Sequence, residues 1–233
     1  MSAKPIVITI DGPSASGKSS TAQWVAERLG FRHADSGAIY RAATAARLRA
    51  GASRDAAQWS EAEVLEAARK RVRLVAGDRS FTPELEGKAA DEELRGADVT
   101  SRVSAVARME GVRSWVNEQM RSVAAKASIV VDGRDMGTAV FPDAAVKIWL
   151  VADPWERARR RLMQALKRAP TEEEIAEETD RLVHRDAKDA KQTVPAPDAV
   201  LLDTTYLTQE EQVDRIVALA NAVTHREGNT SIG

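Results

Sequence analysis

Residues 12–19 read Gly-Pro-Ser-Ala-Ser-Gly-Lys-Ser, a full match to the pattern GxxxxGK(S/T). An apolar run, Ile6-Val7-Ile8-Thr9-Ile10, precedes it, and a helix-periodic stretch from Lys18 to Leu29 follows. The pattern has meaning only as strand, glycine-rich turn and helix, and all three are present in order. Its chemistry is anion binding. Successive N–H groups of the turn form a concave nest, the helix N-terminus adds its positive dipole end, and glycine lets the backbone approach phosphate. Lys18 is expected to reach the β- and γ-phosphates of a nucleoside triphosphate, and the Ser19 hydroxyl to hold Mg²⁺.

Such a loop does not name a reaction, because switches, motors and kinases share it. A GTPase would carry an Asn-Lys-x-Asp guanine reader, but the only asparagines are Asn117, Asn221 and Asn229, none in that setting. A DxxG switch element is missing, and motor ATPases are usually longer. A small phosphotransferase remains. Two further segments follow apolar strands: Asp35-Ser36-Gly37-Ala38-Ile39-Tyr40-Arg41 and Asp132-Gly133-Arg134-Asp135-Met136-Gly137-Thr138. Ligands of open parallel sheets bind beyond the carboxyl ends of strands, where these segments would gather. Arg41 and Arg134 suit the phosphate of a second nucleotide. Asp135 can accept from an exocyclic amino group.

Composition narrows the partners. The chain has 233 residues, 43% of them hydrophobic and 30% charged, so it can bury a substantial core in one large or two small domains. Lys+Arg total 34 and Asp+Glu 35. That balance argues against nucleic acid or a membrane surface as the main partner and favours a small substrate. Cysteine is absent, which excludes disulfides and thiolate sites. His33, His184 and His225 are too scattered for zinc and read as structural or surface residues. With neither leader nor membrane-length apolar run, a cytoplasmic location is expected.

The elements that must position these residues follow from pattern. Ile6–Ile10, Ile129–Asp132, Val146–Val151 and Ala199–Asp203 read as buried strands, and Phe31–Ala34 as a weaker fifth. Their continuous character suits a parallel sheet covered on both faces. Gly30 and Gly51 sit where helices should end. Ser60–Glu63, Thr171–Glu174 and Thr208–Glu211 fit the capping box, and Asp153-Pro154 opens another helix. Val213, Ile216, Val217, Ala220 and Val223 form the core stripe of the last helix, with a polar, frayed tail expected from Glu227. Residues 72–100, with a turn at Gly77-Asp78, read as a hairpin-like insertion. In the helix after Pro154, the apolar face is expected to carry Trp155, Ala158, Leu162, Ala165 and Leu166, and the opposite face Arg157, Arg160 and Arg161. Arginines beside a lid could neutralise a transferring phosphoryl group.

IDGPSASGKSS, DSGAIYR, DGRDMGTAVFPDA and the closing LLDTT segment resemble the bacterial cytidylate kinase family, in the family's order and almost end to end. The resemblance implies an α/β fold: a five-stranded parallel P-loop kinase core with helices on both faces, a small β-containing insert for the monophosphate and a short lid. It implies a single domain over 1–233, with core 1–40 and 125–225, a CMP-binding region at about 41–115 and a lid at about 157–190. By similarity, Gly12, Pro13, Ser14, Ala15, Ser16, Gly17, Lys18, Ser19 and Ser20 would cradle ATP, with Arg157 near it and Ser19 on Mg²⁺. Ser36, Arg41, Ser104, Arg113, Arg134, Asp135, Arg185 and Asp189 would bind CMP or dCMP. Lys18, Arg134, Arg160 and Arg185 would carry the catalysis. The implied reaction is ATP + CMP → ADP + CDP, by a monomer that binds neither nucleic acid nor membrane. The rival readings are another small P-loop kinase of UMP/CMP, adenylate or shikimate type, and a non-catalytic nucleotide-binding regulator.

One departure stands out. In Arg185-Asp186-Ala187-Lys188-Asp189-Ala190-Lys191-Gln192 the family's usual serine is Ala190 and its final arginine is Gln192. Gln cannot replace a cationic fork at phosphate, so weaker CMP binding than in an arginine-containing relative is expected.

Overall fold

A computed structural model describes residues 5–53 and 55–229. In chain order the strands and helices are β1 (Val7–Asp11), α1 (Lys18–Leu29), β2 (Arg32–Asp35), α2 (Ser36–Arg49), α3 (Glu61–Arg71), β3 (Val72–Ala76), β4 (Ser80–Leu85), β5 (Lys88–Ala89), α4 (Asp91–Arg95), α5 (Ala97–Val106), α6 (Glu110–Ala124), β6 (Ile129–Gly133), β7 (Val146–Val151), α7 (Pro154–Leu166), α8 (Glu172–Asp189), β8 (Val200–Asp203) and α9 (Gln209–Asn229). They form two compact units, one of residues 1–31 with 128–233 and one of residues 32–127.

In the first unit, β1 pairs in parallel with β6 on one side and β7 on the other, and β7 pairs in parallel with β8. Ile8 and Ile10 point to one face and pack with Ala22, Val25 and Ala26 of α1 and Val213, Ile216 and Ala220 of α9. Each fully buried aliphatic side chain contributes about 1.5–3 kcal/mol relative to exposure. Thr9 and Asp11 point to the other face and are buried too, as alternation along a strand requires. The fold is therefore the expected α/β class with a parallel core. The expected stripe of α9 is the buried one. Its backbone stays helical through Asn229, past the point where fraying was expected; the last four residues and the His225 side chain lie outside the described residues.

The second unit begins with β2, paired in parallel with β4, which pairs antiparallel with β3 and β5. The β3–β4 turn closes with Gly77 N donating to Ser80 O at 2.8 Å. Alanines 42, 43, 45 and 46 of α2 are fully buried, which lets α3 and α5 approach closely. The hairpin reading holds for residues 72–89 but not for the rest of the stretch, which is helical. Asp91, Glu92 and Glu93 fill the first turn of α4, where carboxylates suit the helix dipole.

All three capping boxes are formed, and the Asp153 carboxylate accepts from the amides of Trp155 and Glu156. The facing of α7 corrects the sequence reading. Trp155 and Leu166 are 39% exposed, whereas Arg157 is 4% exposed. Ala158 and Leu162 pack on Ile175 and Leu182 of α8, so the contact runs along the middle of the expected stripe and not its ends. Arg157 can be buried because its Nε and Nη1 find acceptors in Ala152, Ser14 and Asp186. Among the described residues, no helix is long and apolar enough to cross a membrane.

Candidate active site

The loop after β1 is shaped by contacts that only its residues permit. Gly12 has a φ of +151°, and a Cβ there would collide with the Leu150 carbonyl oxygen of β7. Ala15 adopts a left-handed φ of 58°, which a small side chain tolerates best. Gly17, also left-handed, hands the chain to α1. Lys18 Nζ turns back over the loop and donates to Pro13 O at 2.6 Å, where it can meet an anion lying on the amides. Ser16 Oγ donates to the same carbonyl at 3.1 Å. Ser20 and Thr21 are braced by Gln209 and Gln212 at the start of α9.

Ser14 is held from three directions. Its N–H donates to Asp186 Oδ1 at 3.0 Å, and its carbonyl accepts from Arg157 Nη1 at 2.7 Å. Arg157 Nη1 also donates to Asp186 Oδ2 at 2.6 Å, closing a ring around the Ser14 peptide. Its Nε donates to Ala152 O at 3.1 Å. The Ser14 hydroxyl meets Arg134 Nη2 at 2.5 Å, and the same nitrogen lies 3.0 Å from Asp189 Oδ2. Arg185 Nε stands 3.9 Å from that carboxylate oxygen. The structure thus brings Ser14, Arg134, Arg157, Arg185 and Asp189 of the expected set together. Arg160 lies apart from them, donating from Nη2 to the carbonyls of Thr204 and Thr205 at 2.6 and 2.9 Å.

Two carboxylates at strand ends complete the site, and neither is in the set expected from the sequence. Asp132, buried at the end of β6, accepts from Ser19 Oγ at 2.5 Å. A hydroxyl and one carboxylate converging beside a phosphate cradle are the oxygen donors that Mg²⁺ uses, with phosphates and waters filling the remaining positions. Asp11, at the end of β1, accepts from the amides of Met136 and Gly137 at 2.9 and 2.8 Å. It thereby anchors the π-helical turn Met136–Val140 immediately after Arg134 and Asp135. Burial pushes the Asp11 carboxyl up to about 6; the two amide bonds oppose this and the Asp135 charge adds to it. The available signal for both was an acid closing an apolar strand. Asp135 is itself 8% exposed.

The remaining expected residues belong to the second unit. Ser36 opens α2, behind the Asp35 carboxylate that caps Ala38 N at 3.1 Å. Arg41 Nη1 donates to Thr100 Oγ1 at 2.9 Å and to Leu94 O at 3.1 Å. Ser104 is half-buried on α5, and Arg113 on α6 reaches Ala107 O at 3.2 Å. Gln192 ends a short 3-10 turn, Ala190–Gln192, after α8.

A parallel sheet, an amide-lined loop behind β1, a lysine folded over it and a serine–aspartate pair at its edge define a P-loop phosphotransferase. The sequence pattern of the cytidylate kinase family matches residues 8–222. The chain belongs to that family and is a nucleoside monophosphate kinase. It is 40% identical over 233 residues to a cytidylate kinase of Chlorobaculum tepidum, covering 96% of each chain. It is 43% identical over 212 residues to a cytidylate kinase of Thermus thermophilus, covering 91% of this chain and 97% of the relative. A solved shikimate kinase from Bacteroides thetaiotaomicron shares 13% identity at a TM-score of 0.49, covering 93% of this chain and 98% of that one.

Proposed function

We propose that the chain transfers the γ-phosphoryl group of ATP to CMP, and to dCMP, in the cell's pyrimidine nucleotide metabolism. The observation that supports this most is a spacing. Arg134 follows by two residues the Asp132 carboxylate that meets Ser19, and its guanidinium touches the Ser14 hydroxyl of the donor loop. An acceptor phosphate gripped by Arg134 would therefore lie against the end of a triphosphate on that loop.

In this reading the amides of Gly12 to Ser20 cradle ATP, and Lys18 swings from the Pro13 carbonyl to the β- and γ-phosphates. Arg157 holds the loop through Ser14 and Asp186, and Arg160 shapes the segment after β8. Arg41, Arg134 and Arg185 take the acceptor phosphate, and Asp189 its ribose. Ser36, Ser104, Arg113 and Asp135 read the nucleoside, with Asp135 accepting from the cytosine amino group. A uracil carries an acceptor at that position and would set its oxygen against the Asp135 carboxylate instead of donating to it, which is costly in a buried site. Magnesium, held by Ser19 and Asp132, would draw negative charge from the phosphates.

An oxygen of the CMP phosphate forms the new bond to the γ-phosphorus while the bond to the β–γ bridging oxygen breaks and ADP leaves. That acceptor oxygen is already a nucleophile, so no general base is needed. The residues align two polyanions, neutralise them and exclude water that would waste ATP. Residues of about 157–190 act as the lid. A cytoplasmic monomer that meets only these nucleotides is part of the same proposal.

The test is Lys18→Ala with CDP formation as the readout. Loss of a preorganised cation is expected to lower kcat by roughly 10²–10³-fold, with the melting temperature kept. Near-normal CDP production by the folded variant would sink the reading.

A further inference from the structure

We infer that Ser14 is a positioning residue through which occupation of the acceptor site tightens the donor loop, so that CMP and ATP bind with positive coupling. This rests on the proposed function above. Arg134 Nη2 donates to Ser14 Oγ at 2.5 Å and lies 3.0 Å from Asp189 Oδ2. Arg134 Nη1 is buried without a hydrogen-bond partner among the described residues. A buried guanidinium nitrogen of this kind is costly until an acceptor reaches it. An acceptor phosphate can supply one without breaking the bond to Ser14.

The consequence follows from what Ser14 is tied to. Its N–H and carbonyl are held by Asp186 and Arg157, so its peptide has a fixed place, and the hydroxyl is the one group of the residue that answers to Arg134. A phosphate that fixes the Arg134 guanidinium also fixes this hydroxyl and the left-handed Ala15 next to it. A triphosphate arriving second meets a loop that is already ordered and loses less conformational entropy on binding. By linkage, ATP must strengthen CMP binding by the same factor.

The experiment measures the dissociation constant of the β,γ-imido analogue of ATP, with Mg²⁺, in the absence and presence of saturating CMP. For the unmodified chain the analogue is expected to bind at least about five-fold tighter with CMP, and the reciprocal titration of CMP should give the same ratio. In Ser14→Ala, which keeps both backbone contacts, the ratio should fall to nearly one whatever the affinity of each ligand alone. Arg134→Lys serves as a second variant: its single ammonium cannot bridge hydroxyl and phosphate as a fork does, so CMP should bind more weakly and the ratio should again approach one. A ratio of one in the unmodified chain, or an undiminished ratio in Ser14→Ala, overturns the coupling role and leaves the proposed function standing. Failure of CMP to bind or to yield CDP overturns the proposed function itself.

Discussion

The Arg157 guanidinium and the Asp186 carboxylate meet at 2.6 Å, and each also holds one side of the Ser14 peptide. The donor loop is thus fixed by two residues that lie 143 and 172 positions along the chain from it. Its shape belongs to α7 and α8 as much as to its own glycines.

Removing one partner of that pair leaves the other charge stranded. Asp186→Ala leaves Arg157, 4% exposed, with only carbonyl acceptors. The expected loss is about 3 kcal/mol of stability, read by urea denaturation. The KM for ATP should rise with it, because the Ser14 amide loses its anchor. A variant as stable as the parent would show that the ring around Ser14 is incidental.

Asp132→Asn tests the oxygen pair at the metal position. The amide keeps the size of the carboxylate but not its charge, and a hard dication prefers charged oxygen. Turnover should drop roughly 10²-fold or more, and the Mg²⁺ concentration for half-maximal rate should rise. Unchanged Mg²⁺ dependence would move the metal elsewhere.

Asp11 predicts a pH signature. Its carboxyl is raised from 3.8 to about 6, chiefly by burial, so the folded chain favours the protonated form. The stabilisation linked to this group is fully present below pH 3.8 and lost as pH rises through about 6. The difference in unfolding free energy between the parent and Asp11→Asn should therefore shift against the parent by roughly 2 kcal/mol between pH 4 and pH 7. Parallel stability curves would contradict the burial account.

Gln192→Arg restores the cation that the family usually carries after α8. A charge-assisted bond to phosphate is worth about 1.5–3 kcal/mol, so the KM for CMP should fall roughly ten-fold, with the KM for ATP little changed. An unaltered KM would mean that Lys188, Lys191 or another cation already serves.

Local grammar was legible and long-range facing was not. The strands, the capping boxes at Ser60, Thr171 and Thr208, and Asp153 before Pro154 all depend on neighbours in sequence, and all form where expected, although β8, expected to be buried, is exposed at Val200 and Leu201. On α7 the reading holds for Ala158 and Leu162 but not for Arg157, because periodicity assigns arginine to solvent. Arg157 is buried by acceptors contributed from Ser14, Ala152 and Asp186, which no window around residue 157 contains. Asp132 and Asp11 were visible as acids ending apolar strands. Their partners, Ser19 and the amides of Met136 and Gly137, come into reach only when β1 and β6 pair in register.

The most direct test of the account is ADP release from ATP and Mg²⁺ across CMP, dCMP, UMP and AMP at matched concentrations. CMP and dCMP should support rapid release, with UMP and AMP slower by roughly 10²-fold or more. Equal rates with UMP or AMP, or no CMP-dependent release, would contradict it.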